Sequence, residues 1–171
     1  KLARRYSHDK YGAGRYEIVT MKNSFHGRTF ATLTATGQAK VQKDYEPLLQ
    51  GFSYVAFNNF EELERAVTDK TAAVLLEPIQ GEAGVYVPRP GYIKEAEGLC
   101  RKYNVLLMMD EIQTGIARTG KMLASDHEGV RPDLLILGKA LSGGVLPVSL
   151  VLADDKIMLV IKLGQHGSTF W

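Results

Sequence analysis

The sequence contains one cysteine, Cys100, in 171 residues. A single thiol excludes an internal disulfide framework and fits a reducing compartment. Long apolar runs are also missing: no stretch approaches the roughly 20 residues that a membrane-spanning helix needs. Nor does charge of one sign accumulate. The 21 basic residues stand against 19 acidic ones, for a net charge of +2. No basic run or basic-aromatic stripe occurs, which argues against nucleic acid as a partner. Internal repeats and low-complexity segments are absent. The opening stretch KLARRYSHDKYGAGRY has neither an initiator Met nor an apolar signal core. Its Lys1, Arg4 and Arg5 read as the last turn of a helix, where cations suit the dipole. The other end stops at GQHGSTFW, just after a turn-like Gly-Ser-Thr. Both ends read as cut from something larger.

What is present is the composition of a globular domain, 45% hydrophobic and 23% charged, with enough apolar material for one sizeable core. Short apolar runs alternate with helical patterns, which predicts an α/β fold with a mainly parallel sheet and flanking helices. Strands are expected over Tyr16–Met21, Phe52–Phe57, Ala72–Leu76, Val105–Met109, Leu134–Leu137 and Val148–Ala153. Helices are expected from Gly27 to Thr36, from Glu61 to Val67 after an Asn58 or Asn59 cap, and from Gly91 to Asn104. In the last of these, Ile93, Ala96, Leu99 and Cys100 share one face, so Cys100 reads as a small apolar residue. The run VLLMM is apolar throughout, as expected of a strand covered on both faces.

Polar groups follow three of these strands: Glu77, the pair Asp110-Glu111, and Lys139. Parallel sheets gather the carboxyl ends of their strands on one edge, where ligands bind. Lys139, in LLILGKALSGG, is an amine at a strand end. Shielding by apolar neighbours would favour its neutral form, which can make a Schiff base with an aldehyde or ketone; a lysine that simply snorkels outward is the plainer alternative. Asp110 ends the most apolar strand, where a carboxylate needs a cationic partner such as a protonated pyridine nitrogen, a metal or a lysine. VLLMMDE also resembles the second nucleotide motif of P-loop ATPases, but the companion G-x-x-x-x-G-K-[ST] is missing: Lys121 is followed by Met122, and Lys139 by Ala140. EPIQGEAGVYVP brings Glu77 and Glu82 to a strand-end loop, either substrate-facing or an ordinary solvated connection. NSFHGRT groups an aromatic, an imidazole and a guanidinium. Phe25 could stack on a flat ring and Arg28 could hold a carboxylate in bidentate fashion, although an aromatic at a strand end is more often core. His127 and His166 are too scattered for a metal site.

Taken in order, FHGRT, EPIQGEAGV, DEIQTGIARTGK, PDLLILGKALSGG and HGSTF resemble the class III aminotransferases, fold-type I enzymes that use pyridoxal 5′-phosphate. The resemblance covers essentially the whole chain, and the block from Asp110 to Lys139 is its most specific part. It implies that residues 1–171 form a partial cofactor-binding large domain, with an N-terminal segment and a small C-terminal domain elsewhere. It implies that Lys139 carries the cofactor as a Schiff base and shuttles a proton, and that Asp110 keeps the pyridine nitrogen protonated. It further implies that Phe25 stacks on the ring and that Gln113 lies near the phenolic oxygen. Arg28 takes a substrate carboxylate, and Glu82 lies in the substrate pocket, paired with an arginine of the small domain. Thr169 reaches the cofactor phosphate of the partner subunit in a homodimer. Glu77 has a supporting role. GEAGV, DEIQTGIARTG and GKALSGG resemble the branch acting on ornithine and 2-oxoglutarate, whereas NSFHGRTFATLTATGQ is nearer the acetylornithine branch. The default compartment is the cytoplasm, with the mitochondrial matrix as the alternative had a presequence been lost. The family's Gly/Ser/Thr-rich phosphate turn has no equivalent in this chain: Gly12-Ala13-Gly14 precedes a strand and lacks the hydroxyls.

Overall fold

A computed structural model describes residues 1–167. In chain order the elements are α1 (Leu2–Tyr11), β1 (Glu17–Met21), α2 (Phe30–Ala35), α3 (Ala39–Gln42), β2 (Phe52–Val55) and α4 (Phe60–Ala66). They continue with β3 (Thr71–Leu76), α5 (Tyr92–Tyr103), β4 (Leu106–Asp110), β5 (Leu134–Leu137), β6 (Leu150–Ala153) and α6 (Asp155–Met158). The strands form one six-stranded sheet in the order β2-β1-β3-β4-β5-β6. All neighbours are parallel except β5 and β6, which run antiparallel.

Alternation along the strands builds two cores. Val19, Met21, Val74, Leu76, Leu107 and Met109 face α4 and α5, whose Leu63, Ile93, Ala96, Leu99 and Cys100 complete that layer. Ile18, Ala73, Leu75, Leu106 and Met108 face the other way, onto Ala3 of α1 and Ile157 of α6. Every residue of β3 and β4 is buried, the condition that the uninterrupted apolar runs anticipate. Burial pushes the Cys100 thiol up to about 12, in keeping with an inert core residue.

The amphipathic helix ends where expected. Asn104 takes a left-handed φ of 52° and the Val105 amide reaches back to the Cys100 carbonyl at 2.9 Å. Asn59 rather than Asn58 caps α4, its side chain accepting from the Glu62 amide at 3.0 Å. Three expectations are corrected. The N-terminal helix does not end near Arg5 but continues to Tyr11, because Ala3 and Ser7, one turn apart, are both buried and Gly12 supplies the positive φ that stops it. The helix expected from Gly27 begins only at Phe30, and β6 begins at Leu150 rather than Val148. The one-turn helices α3 and α6 are too short to carry a readable period.

The strand order positions the ligand edge. Connections reverse direction between β1 and β3, the switch point at which open parallel sheets leave a crevice beyond their carboxyl ends. Leu76 pairs with Met109 and Asp110 with Ile136. Glu77 and Asp110 therefore stand level, and Lys139 follows three residues beyond the partner of Asp110.

Candidate active site

Asp110 is the best-determined group on this edge. Only 5% exposed, its Oδ2 lies 2.8 Å from Nδ1 of the buried His26, and its Oδ1 accepts from the Ile112 amide at 3.1 Å. His26 is held in turn: its amide donates to Thr36 Oγ1 at 2.9 Å, and its Nε2 lies 3.3 Å from Thr20 Oγ1. Thr20 Oγ1 also lies within hydrogen-bond distance of the Ala35 carbonyl, at 3.0 Å. A hydrogen-bonding partner for the buried carboxylate is thus supplied from within the chain, by a residue 84 positions away. The motif FHGRT contains that imidazole, but adjacency in sequence pointed only to Phe25 and Arg28.

Phe25, half-buried, donates its amide to Glu77 Oε2 at 3.0 Å. Arg28 is exposed, with its guanidinium carbon 5.6 Å from the centre of the Phe25 ring. Glu77 is 5% exposed. Burial pushes its carboxyl up to about 7, against the pull of His26 and the Phe25 amide, while Asp110 and Glu82 add to the rise. The native state consequently binds a proton that the unfolded chain has released between the ordinary carboxylate range and pH about 7, so this group lowers stability as pH rises through that window. Glu77→Gln is expected to flatten the dependence and to raise stability at pH about 8 by up to about 3 kcal/mol. Urea titrations of both proteins at pH about 5 and 8 measure it; an equal difference at the two pH values refutes it.

Glu82 and Gln113 form a second cluster. Gln113 Nε2 donates to Glu82 Oε1 at 2.9 Å. Glu82 is exposed and lines a cavity of about 550 Å³ with Lys22, Gln38, Lys40 and Tyr86. Gly81 makes the arrangement possible, because a Cβ there would stand 1.8 Å from Gln113 Oε1. Since that atom ends a flexible side chain, Gly81→Ala is expected to cost less than about 1 kcal/mol of stability. It should nonetheless displace Gln113 and break its contact with Glu82. Urea titration measures the cost, and a loss well above about 1 kcal/mol refutes it.

Lys139 departs from the expected shielding. It is exposed, and its amine makes no hydrogen bond with any described residue. The residues beside it, Val145, Leu146 and Val148, are themselves 49–82% exposed and lay no apolar cover over the amine. Together with Ser142 and Ser149 they line a cavity of about 490 Å³. Lys139 opens a single 3₁₀ turn after β5 with φ of +43°, a left-handed conformation costing a non-glycine residue about 1–2 kcal/mol. Thr169 lies outside the described residues.

Asp110, Phe25 and Glu77 are therefore brought together through His26, Gln113 and Glu82 meet beside them, and Lys139 stands at the end of the adjacent strand. Glu111 goes elsewhere. Fully buried, it accepts from Thr114 Oγ1 at 2.7 Å and from the Ala124 and Ser125 amides at 2.7 and 2.8 Å. Each Asp110 oxygen accepts one donor and keeps a lone pair free, so the carboxylate can still accept from a protonated ring nitrogen. With an aromatic one residue from its brace and an accessible amine just past the end of the next strand, this donor set fits pyridoxal 5′-phosphate. No cluster of His, Cys, Asp and Glu among the described residues is suited to a metal ion, and none of the described helices is long and apolar enough to cross a membrane.

Known proteins give the arrangement its context. The family model for class III aminotransferases matches residues 1–171. An ornithine aminotransferase of Macrococcus caseolyticus is 51% identical over 172 residues, covering 99% of this chain and 43% of that protein. An acetylornithine aminotransferase of Caldanaerobacter subterraneus is 50% identical over 170 residues, with the same coverage of 99% and 43%. The chain thus spans less than half the length of either relative. The ornithine aminotransferase of Toxoplasma gondii, in a crystal structure with partial occupancy of pyridoxal phosphate at its active site, superimposes with a TM-score of 0.94 at 42% identity, covering 99% of this chain and 41% of that one. By sequence along its whole length and by fold, the chain belongs to the class III aminotransferases, a pyridoxal-phosphate-dependent family.

Proposed function

We propose that the protein carrying this chain transfers the terminal amino group of ornithine to 2-oxoglutarate, giving glutamate semialdehyde and glutamate. The observation that carries the reading is the buried Asp110 carboxylate, braced by His26 at 2.8 Å on the edge where Lys139 ends the neighbouring strand. When bound, the cofactor supplies an aldehyde to take up amines and a ring that withdraws electrons from the substrate carbon. Asp110 would hold a proton on the ring nitrogen, and His26, 2.8 Å away, keeps that carboxylate aimed. Phe25 stacks against the ring. Lys139 would hold the cofactor through its amine, and the same Nζ would take up the proton that leaves the substrate carbon. Arg28, exposed at the mouth, binds a substrate carboxylate in bidentate fashion. Gln113 and Glu82 adjust the pocket between the two half-reactions. Thr169 serves the phosphate site of a partner subunit in a homodimer, and the reaction is assigned to the cytoplasm.

A second reading takes acetylornithine as the amino donor. Its support is the nearly equal identity, 50% against 51%, of the relatives bearing the two names. Two experiments test these readings. The chain is incubated with pyridoxal phosphate and reduced with borohydride, and the modified lysine is mapped by mass spectrometry. Selective modification of Lys139 supports the site, and labelling spread over surface lysines overturns it. The full protein is then assayed with each donor; a higher kcat/KM for acetylornithine replaces the first reading by the second. A chain that labels only at random is a fragment without activity of its own.

A further inference from the structure

Glu77 is a carboxylate with more burial than its hydrogen bonding explains. It is 5% exposed, forms no salt bridge among the described residues, and accepts one backbone amide, that of Phe25, at 3.0 Å. A glutamine would accept the same N–H without the cost of desolvating a charge, so a purely structural hydrogen bond does not account for an acid here. Its surroundings do. The amide it holds belongs to Phe25, and the next residue is His26, whose Nδ1 braces Asp110 at 2.8 Å. We propose that Glu77 is a positioning residue of the site, setting through one backbone contact both the Phe25 ring and the imidazole behind Asp110, and making their hold on the cofactor depend on its own charge. The proposal rests on reading the edge as a pyridoxal-phosphate site.

The charged groups facing Glu77 are His26 from the loop after β1, Asp110 from β4, and Glu82 from its own loop. Burial brings its carboxyl to about 7, so it changes charge under working conditions. When ionised, Glu77 adds a second negative charge beside the His26–Asp110 pair. That charge favours a proton on a ring nitrogen facing Asp110. When protonated, Glu77 withdraws this support and weakens its grip on the Phe25 amide, because a neutral acceptor makes the weaker bond.

The test measures the Kd of pyridoxal 5′-phosphate, by absorbance and fluorescence titration from pH about 6 to 8.5, for the full natural chain carrying this segment and its Glu77→Gln and Glu77→Ala variants. Comparing each variant with the wild type at the same pH cancels the titrations of the cofactor itself. Glu77→Gln mimics the protonated state. Its Kd is expected to match the wild type near pH 6 and to exceed it about fivefold near pH 8.5. Glu77→Ala leaves the Phe25 amide unheld and is expected to weaken binding about tenfold or more at every pH. A Glu77→Gln ratio that is flat with pH overturns the proposal, even where Glu77→Ala fails to fold. Borohydride labelling of the wild type separates the two levels of the argument. Selective labelling at Lys139 with a flat ratio removes the role of Glu77 alone, whereas no selective labelling removes the site reading and this proposal with it.

Discussion

On the proposed function, Lys139→Ala is expected to lower turnover by the full protein at least about 10⁴-fold, because the same amine is then asked both to anchor the cofactor and to move the proton. The structure separates this loss from any loss of fold. Lys139 is exposed and its amine is hydrogen-bonded to no described residue, so removing its side chain breaks no packing, and the melting temperature should change by no more than a few degrees. Its φ of +43° sharpens the comparison. Alanine inherits the left-handed strain, whereas glycine does not, so Lys139→Gly should be more stable than Lys139→Ala by about 1 kcal/mol while equally inactive. Lys139→Arg keeps the charge but not a nucleophilic amine and should also be inactive. Turnover within about tenfold of the wild type in any of the three would remove Lys139 from the reaction. Parallel losses of activity and stability would instead place the residue among the structural ones.

The strands were the legible part of this fold, since β3 and β4 are buried on both faces and buried strands read as unbroken apolar runs. The α5 helix was legible from its apolar stripe and its Asn104 stop. The extent of α1 was not, because its mean composition is polar and only Ala3 and Ser7 are buried; a helix docked by two small residues has almost no periodic signal. At the site, residue types at strand ends were readable as chemistry, but pairings were not. Nothing local ties His26 to Asp110 across 84 residues, and the sequence suggested a protonated pyridine nitrogen, a metal or a lysine as the partner instead. Nor could it tell that Lys139 stands uncovered, since shielding depends on where residues 145–149 lie, and these are exposed. The dipeptide Asp110-Glu111 was ambiguous for a related reason. Neighbouring side chains at a strand end point to opposite faces, so one carboxylate reaches the ligand edge and the other turns into the protein.

That second carboxylate carries the largest expected effect on stability. Glu111→Ala should cost about 4 kcal/mol, because it orphans the Ala124 and Ser125 amides and the Thr114 hydroxyl together, and a buried donor without a partner costs about 1–3 kcal/mol. All three bonds are short, 2.7 to 2.8 Å, and the acid is fully buried, so the freed donors do not face bulk solvent. In thermal unfolding of a chain of this size the loss corresponds to about 10 °C. Glu111→Gln should cost roughly half as much, since its carbonyl oxygen still serves one amide while its NH₂ faces another donor. Thr114→Val removes one hydroxyl and should cost about 1 kcal/mol. The order of these three variants in urea titrations is the measurement, and a Glu111→Ala penalty below that of Thr114→Val contradicts it. The consequence reaches the site, because Glu111 ties the end of β4 to the 3₁₀ turn Ala124–His127, and its carbonyl accepts the Gly115 amide at 2.9 Å. Gln113 lies on the loop so fastened. A Glu111 variant that still folds should therefore lose the Gln113–Glu82 contact before it loses the buried His26–Asp110 pair; on the proposed function this raises the oxo-acid KM at a temperature where the cofactor remains bound.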